Sequence, residues 1–204
     1  MISDGVQRDF AHEGIQSLGS SKCVKCMRKI NLHGCFQISN WALRALMTMT
    51  NLEHLVLFGC TKLTLIGLSM IAKSCLNISF LSLASCGDCI NNSIIEEITN
   101  HLHALKTLIL SDCCKIGRKA LSGISRCKHL RHLNLSGCKG VTNEAILALC
   151  DGKYKSGIRE LFIERCHRLD DNALMWIVDS LHTSDSERDK RYVSLTTLSM
   201  KGTE

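Results

Sequence analysis

LEHLVLFGC, residues 52–60, sets Leu52, Leu55, Leu57 and Cys60 at the offsets L-x-x-L-x-L-x-x-C. The same template returns as Met27-Ile30-Leu32-Cys35, Ile78-Leu81-Leu83-Cys86, Leu105-Leu108-Leu110-Cys113, Leu130-Leu133-Leu135-Cys138 and Ile158-Leu161-Ile163-Cys166. A last copy, Leu195-Leu198-Met200, has Thr203 in the cysteine's place. The cysteines at 35, 60, 86, 113, 138 and 166 are 25, 26, 27, 25 and 28 residues apart. Around Leu55 and Leu57 the alternation has period two, so the leucines point to one side and His54, Val56 and Phe58 to the other, which predicts a strand.

After each cysteine the period changes. Ile38, Leu43 and Leu46 in one copy match Leu63, Leu68 and Ile71 in the next, then Ile116, Leu121 and Ile124, Val141, Ile146 and Leu149, and Leu169, Leu174 and Ile177. The three-residue step closing each set is helical. Ser39, Thr64, Thr142 and Asp170 stand where these helices begin and are expected to cap them by accepting a bond from an orphan N–H. Gly117 fills the same place after Cys113 and predicts a weaker start. The copy that opens at Cys86 carries one extra residue, which shifts Ile90, Asn91, Ile95 and Ile98 by one and puts Cys89 in a turn.

One strand and one helix of this size cannot bury their own apolar faces, so the copies must stack, strands inside and helices outside. A 25–28-residue strand-plus-helix period is that of a leucine-rich repeat. The cysteine in the anchor position, followed by patterns such as C-x-x-V-T-N-E-A-I across residues 138–146, resembles the cysteine-containing leucine-rich repeats of F-box proteins and of the antagonist of mitotic exit network family. The resemblance covers about residues 10–203. It implies an α/β solenoid, a ribonuclease-inhibitor-like arc with a parallel sheet on its concave face and helices on its convex face. Residues 1–26 are expected to form a degenerate first repeat, with Ile15 and Leu18 on a short helix, and residues 27–204 the array.

Forty-five per cent hydrophobic residues in 204 suffice for one continuous core, and the ladder of Leu and Ile accounts for an aromatic content of only 4%. The net charge is +6, but the basic residues are spread among acidic ones along the chain, and no nucleic-acid motif appears. No secretory leader opens the sequence, and no apolar run is long enough to span a bilayer. A soluble cytoplasmic chain, nuclear in the alternative, is expected, binding neither nucleic acid nor membrane.

Thirteen cysteines, an odd number at repeat spacing, argue for thiols in a reducing compartment rather than a disulfide framework. Cys35, Cys60, Cys86, Cys113, Cys138 and Cys166 are the structural anchors, and Cys75 and Cys127 belong to the template where each helix meets the next strand. The pairs Cys23-x-x-Cys26 and Cys86-x-x-Cys89 have the outline of a zinc site, but Cys86 already serves as an anchor and two repeats separate the pairs. No metal and no cofactor are expected.

Residues 182–191, HTSDSERDKR, stretch the last period and are expected to form a polar surface loop within about residues 180–194, with Ser184 in an acidic context. No F-box precedes the repeats in this sequence, and the final strand has no helix after it. These features suggest a chain that works without that module or a truncated or spliced product.

In a repeat array the outward strand positions face the concave side, six, four and two residues before each anchor. His54, Val56, Phe58, Phe80 and Ile109 gather apolar and aromatic side chains there, and His132, Glu160, Phe162 and Glu164 make the later strands acidic and aromatic. These nine are the candidate partner-binding residues, suited to a segment with an apolar patch and a nearby Lys or Arg. None of the nine histidines is paired by sequence with a nucleophile and an acid, and no phosphate-binding or zinc-protease motif occurs. The expectation, as the resemblance to F-box repeat proteins implies it, is a non-enzymatic protein-interaction module acting with the ubiquitin pathway, reaching a cullin-RING ligase if an F-box is supplied elsewhere. The alternatives are a scaffold subunit of a larger assembly, axonemal or organellar, and a thiol-dependent metal or redox protein.

Overall fold

A computed structural model describes residues 24–150, 157–182 and 196–200, together with positions 14, 15, 17 and 19. Among the described residues seven three-residue strands alternate with six helices. The strands are β1 (Lys29–Asn31), β2 (His54–Val56), β3 (Phe80–Ser82), β4 (Thr107–Ile109), β5 (His132–Asn134), β6 (Glu160–Phe162) and β7 (Thr197–Ser199). The helices are α1 (Asn40–Leu46), α2 (Leu65–Ser74), α3 (Asn92–His101), α4 (Arg118–Ile124), α5 (Asn143–Cys150) and α6 (Asp171–His182). All strands are parallel and lie in chain order in one sheet. The register sets Ile30, Leu55, Leu81, Leu108, Leu133, Leu161 and Leu198 side by side, so the template leucine of every copy enters the same row.

That row and its neighbours form the core. Leu55, Leu57, Leu83, Leu108, Leu110, Leu133, Leu135 and Ile163 have no exposed surface, and neither do Ile38, just before α1, and the helix residues Leu46, Ile95, Leu121 and Ile146. Leu174 departs from the expected pattern and is half-buried. Strands pack about 4.8 Å apart but helices need about 8–10 Å, so a stack with strands on one side and helices on the other bends toward the sheet. The fold is the leucine-rich repeat arc that the period implies.

The anchor cysteines join neighbouring copies. Cys60 Sγ donates to Leu32 O at 3.4 Å, Cys86 to Leu57 O at 2.9 Å, Cys113 to Leu83 O at 3.4 Å, Cys138 to Leu110 O at 3.1 Å and Cys166 to Leu135 O at 3.2 Å. Each of these carbonyls also accepts the N–H of its own copy's cysteine, as Leu110 O does from Cys113 at 3.2 Å. Both lone pairs of a buried carbonyl are thereby used, one within the repeat and one across the interface. Cys35 breaks the expectation of six equivalent anchors. It is half-buried, and among the described residues its Sγ approaches His33 O of its own turn, at 3.9 Å, and no carbonyl of another copy.

The chain leaves each strand through a residue in the left-handed region directly before the cysteine. Gly34, Gly59 and Gly137 take it with φ of 72°, 73° and 74°, but Ser85, Asp112 and Arg165 take it too, with φ of 55°, 60° and 54°. A side chain there costs on the order of 1–2 kcal/mol.

The helix starts differ from the expectation at two positions. Ser39 and Thr64 occupy the cap site but accept no capping bond through their side chains. Asp170 does cap, accepting Asn172 N–H at 2.8 Å, and Asn91 accepts from Ser93 and Ile94 N–H. An asparagine of the previous copy also holds the cap residue's own N–H at three of these starts. Asn40 Oδ1 accepts Thr64 N–H at 3.2 Å, Asn143 Oδ1 accepts Asp170 N–H at 3.2 Å, and Asn92 Oδ1 accepts both Gly117 N–H at 2.9 Å and Ala120 N–H at 3.2 Å. Gly117 is therefore not an uncapped start, since Asn92 substitutes for the side chain that glycine lacks.

Ile15 is buried against the core, whereas Leu18 and most of the expected first repeat, residues 1–26, lie outside the described residues. So do Leu195, Thr203, Ser184 and nearly all of the polar loop. Leu198 and Met200 of the last copy are partly buried against the core. No helix among the described residues is long and apolar enough to cross a membrane.

Candidate functional site

The strands are too short to do more than hold one residue inward and two outward, so the sheet's outer face is set by register. One row across it reads Lys29, His54, Phe80, Thr107, His132, Glu160, Thr197. A second reads Asn31, Val56, Ser82, Ile109, Asn134, Phe162, Ser199. Beyond the strand ends a third row, two residues before the anchors, carries His33, Phe58, Ala84, Ser111, Ser136 and Glu164.

All nine candidate residues, His54, Val56, Phe58, Phe80, Ile109, His132, Glu160, Phe162 and Glu164, lie on this face and are half-buried. The structure does not bring Val56, Phe58, Phe80 and Ile109 into one apolar block, as the sequence suggested. Ser82, only 5% exposed, stands between Val56 and Ile109, and Ala84, 2% exposed, is Phe58's neighbour on β3's side.

What the rings do instead is stack on histidines. His33 lies over Phe58 with centroids 4.4 Å apart and planes within 3°, and His54 over Phe80 at 5.5 Å and 17°. His132 tilts against Phe162 at 5.1 Å. In each pair the histidine belongs to one copy and the phenylalanine to the next, so the face is lined with flat π surfaces that are rigid without being buried. His33 was missed as a site residue because its partner stands 25 positions away.

The later strands are acidic but not unpaired. His132 Nδ1–H donates to Glu160 Oε2 at 2.6 Å, and Ser199 Oγ–H donates to Glu164 Oε1. Each carboxylate keeps its second oxygen for a further donor. On the rim, Asp112 accepts from Ser85 Oγ at 3.5 Å and from Arg165 Nη2 at 3.5 Å. This line runs over Gly137, where a Cβ would come within 2.1 Å of Asp112 Oδ1. The three residues of this line are the non-glycines in the left-handed turn, and the signal in the sequence was the loss of glycine before the anchor cysteine.

The cysteines offer little nucleophilicity. Burial pushes the thiols of Cys60, Cys86 and Cys138 up to about 12, and those of Cys75, Cys127 and Cys166 to about 11. Cys113 is pushed up for the same reason. A thiol held neutral and engaged with a carbonyl is a poor attacking group. In the C-x-x-C at 86–89, Cys89 Sγ donates to Cys86 O at 3.2 Å while Cys86 Sγ turns to Leu57 O, so the two sulfurs serve separate carbonyls. Cys23 of the other pair lies outside the described residues. Among the described residues no three His, Cys, Asp or Glu side chains converge as a metal would require.

Comparison with known proteins agrees with the repeat fold. Residues 126–150 match the family model described as Leucine Rich repeat. Over 114 residues, 53% of this chain, the sequence is 37% identical to the DNA repair protein rhp7 of Schizosaccharomyces pombe, of which those residues cover 20%. Among solved structures, a chain of the yeast Rad7 and Elc1 complex superposes with a TM-score of 0.59 at 18% identity, covering 80% of this chain and 42% of that one. The tropomodulin C-terminal domain of Caenorhabditis elegans aligns at 10% identity over 88% of this chain and 92% of that one, with a TM-score of 0.48. The chain thus spans one fifth of the length of the curated relative it matches. The family match and the Rad7 superposition agree with the repeat architecture of the fold.

Proposed function

We propose that this chain is a non-enzymatic recognition module which holds a partner segment along its concave sheet, and that it serves a ubiquitin-ligase context of the F-box and leucine-rich repeat kind. The observation that carries the reading is the stacking of His33 on Phe58 and His54 on Phe80 across adjacent strands, on the face that has no helix over it. Flat aromatic surface on the open face of a sheet suits a binding hot spot, because little side-chain entropy remains to be lost. Glu160 and Glu164, on a chain of net charge +6, favour a segment that carries Lys or Arg beside its apolar residues. The partial likeness to a DNA repair protein and to a complex of Rad7 with a second protein supports a partner-bound role. Unbridged ladder thiols support a cytoplasmic or nuclear setting.

Quantitative affinity purification tests this. Replacing Phe58 and Phe80 with Ser is expected to remove the partners that the wild-type chain retains, a cullin adaptor among them. Being half-buried, the two changes together should cost only about 1–2 kcal/mol, whereas Leu83→Ala, with no exposed surface, should cost about 2–5 kcal/mol. Retention of the same partners by the folded double variant would refute the proposed face.

A further inference from the structure

Basic residues that look dispersed along the sequence are brought together by the repeat period. Residues 99–107 and 125–132 contain His101, His103, Lys106, Arg126, Lys128, His129, Arg131 and His132 and no Asp or Glu. The fold sets these two segments side by side, where α3 and α4 end and their chains turn into β4 and β5. A groove of about 520 Å³ opens between them. Thr99 and Cys127, both buried, form its floor, and His103, Arg126, Lys128 and His129 stand around it, all exposed.

Of the groove's polar side chains, Thr99 is spent as a donor and Asn100 is left as one. Thr99 Oγ1 gives its proton to Glu96 O at 3.0 Å, and Asn100 Oδ1 is taken by Arg126 Nη2 at 3.3 Å, which turns the Asn100 amide nitrogen outward as a donor and steadies the guanidinium. The Cys127 thiol is kept neutral by burial, so no thiolate competes for the cations. Of the nearby carboxylates, Glu97 is engaged by Lys73 at 2.6 Å and by Ser69 at 2.8 Å on the side of the preceding helix. Glu96 lies one helical turn above Asn100 and is the only acidic residue of α3 not engaged in this way.

We infer that this groove is a binding site for a phosphate monoester. An arginine held by Asn100, a lysine and two imidazoles around one compact volume match a small dianion with three acceptor oxygens better than a single carboxylate. The described lining residues include no Phe, Tyr or Trp and so offer no stacking platform of the kind that single-stranded nucleic acid uses. Arg131 does not extend the groove into a track, because its Nη1 is committed to the carbonyls of Lys128, Leu130 and Gly157 at 3.0, 2.9 and 3.2 Å. The site lies on the flank where the helices end, away from the stacked rings of the sheet, and does not depend on the function proposed for that face.

The test is an NMR titration of the ¹⁵N-labelled full chain at constant ionic strength with inorganic phosphate, O-phosphoserine, a phosphoserine peptide and a single-stranded oligonucleotide. Saturable shifts of amides within 99–103 and 126–129 are expected with the phosphates, weakened roughly tenfold by Arg126→Gln with Lys128→Gln. Equal affinity for phosphate and phosphoserine would identify a free small ligand, and tighter binding of the peptide a phosphorylated protein segment. The absence of saturable shifts, shifts unaltered by the double variant, or tighter binding of the oligonucleotide than of phosphoserine would each overturn the inference. If the double variant unfolds, Lys128→Gln alone, at an exposed position, supplies the comparison, with a smaller loss expected and no loss refuting the site.

Discussion

Cys138→Ala isolates the link between repeats. Its sulfur has no exposed surface and donates to Leu110 O at 3.1 Å, while Cys113 N–H holds the same oxygen at 3.2 Å. Removing one buried sulfur costs about 1 kcal/mol in lost transfer energy and cavity. Leaving the second lone pair of Leu110 O unmatched adds about 0.5–1 kcal/mol. The expected loss of about 1.5–2 kcal/mol corresponds to a fall in melting temperature of about 3–8 °C for a chain of this size. Cys35→Ala is the internal control, because Cys35 is half-buried and among the described residues its sulfur reaches no carbonyl of another repeat, and it should change stability by less than about 0.5 kcal/mol. Cys138→Ser keeps a donor and should fall between the two. Urea unfolding followed by circular dichroism measures all three, with the slopes compared so that loss of cooperativity along the array is not mistaken for loss of stability. Equal losses for Cys138→Ala and Cys35→Ala would refute the claim that the thiol works by reaching the preceding repeat.

The same burial gives a pH dependence with a definite sign. A thiol kept neutral in the folded chain contributes stability that is complete below its ordinary value of 9.0 and is lost as pH rises toward about 11 for Cys166 and about 12 for Cys60, Cys86 and Cys138. Urea midpoints should therefore fall between about pH 9 and pH 12, and the fall should be smaller in Cys138→Ala. At the helix starts, Asn92→Ala should cost about 1–2 kcal/mol by stripping the acceptor from Gly117 and Ala120 N–H, while Asn92→Asp keeps an acceptor at the positive end of α4 and should cost less, both read from thermal melts.

The strand row, the anchor spacing and the inward positions were legible because stacking repeats the same demand every 25 to 28 residues, and a demand that recurs leaves a pattern. What crosses from one copy to the next leaves a fainter trace. Ser39 and Thr64 read as caps because the local rule looks only at the residue before the helix, yet neither side chain caps, and Thr64 is instead tied through its N–H and its Oγ1 to Asn40 a full repeat earlier. The pairing of His33 with Phe58 and of His54 with Phe80 is invisible for the same reason, since nothing local ties an imidazole to a ring 25 or 26 residues on. The charge on the α3–α4 flank escaped a linear reading too, because residues evenly mixed along the chain are sorted by the period onto different sides.

The left-handed turn before each anchor shows where the fold's requirement and the chain's choice separate. Gly34, Gly59 and Gly137 satisfy the backbone at no steric cost, and nothing about stacking forbids glycine in the other three copies. Ser85, Asp112 and Arg165 nevertheless occupy that position, and all three point into one hydrogen-bonded line along the rim of the sheet. The exposed Asp112–Arg165 contact, at 3.5 Å, is too weak to offset three strained turns, since surface ion pairs contribute about 0–1 kcal/mol. Their presence is therefore better explained by what the rim must present than by what holds it together. The polar rim borders the same face on which the His–Phe stacks stand, so the costly side chains and the half-buried rings lie where a bound segment would touch both.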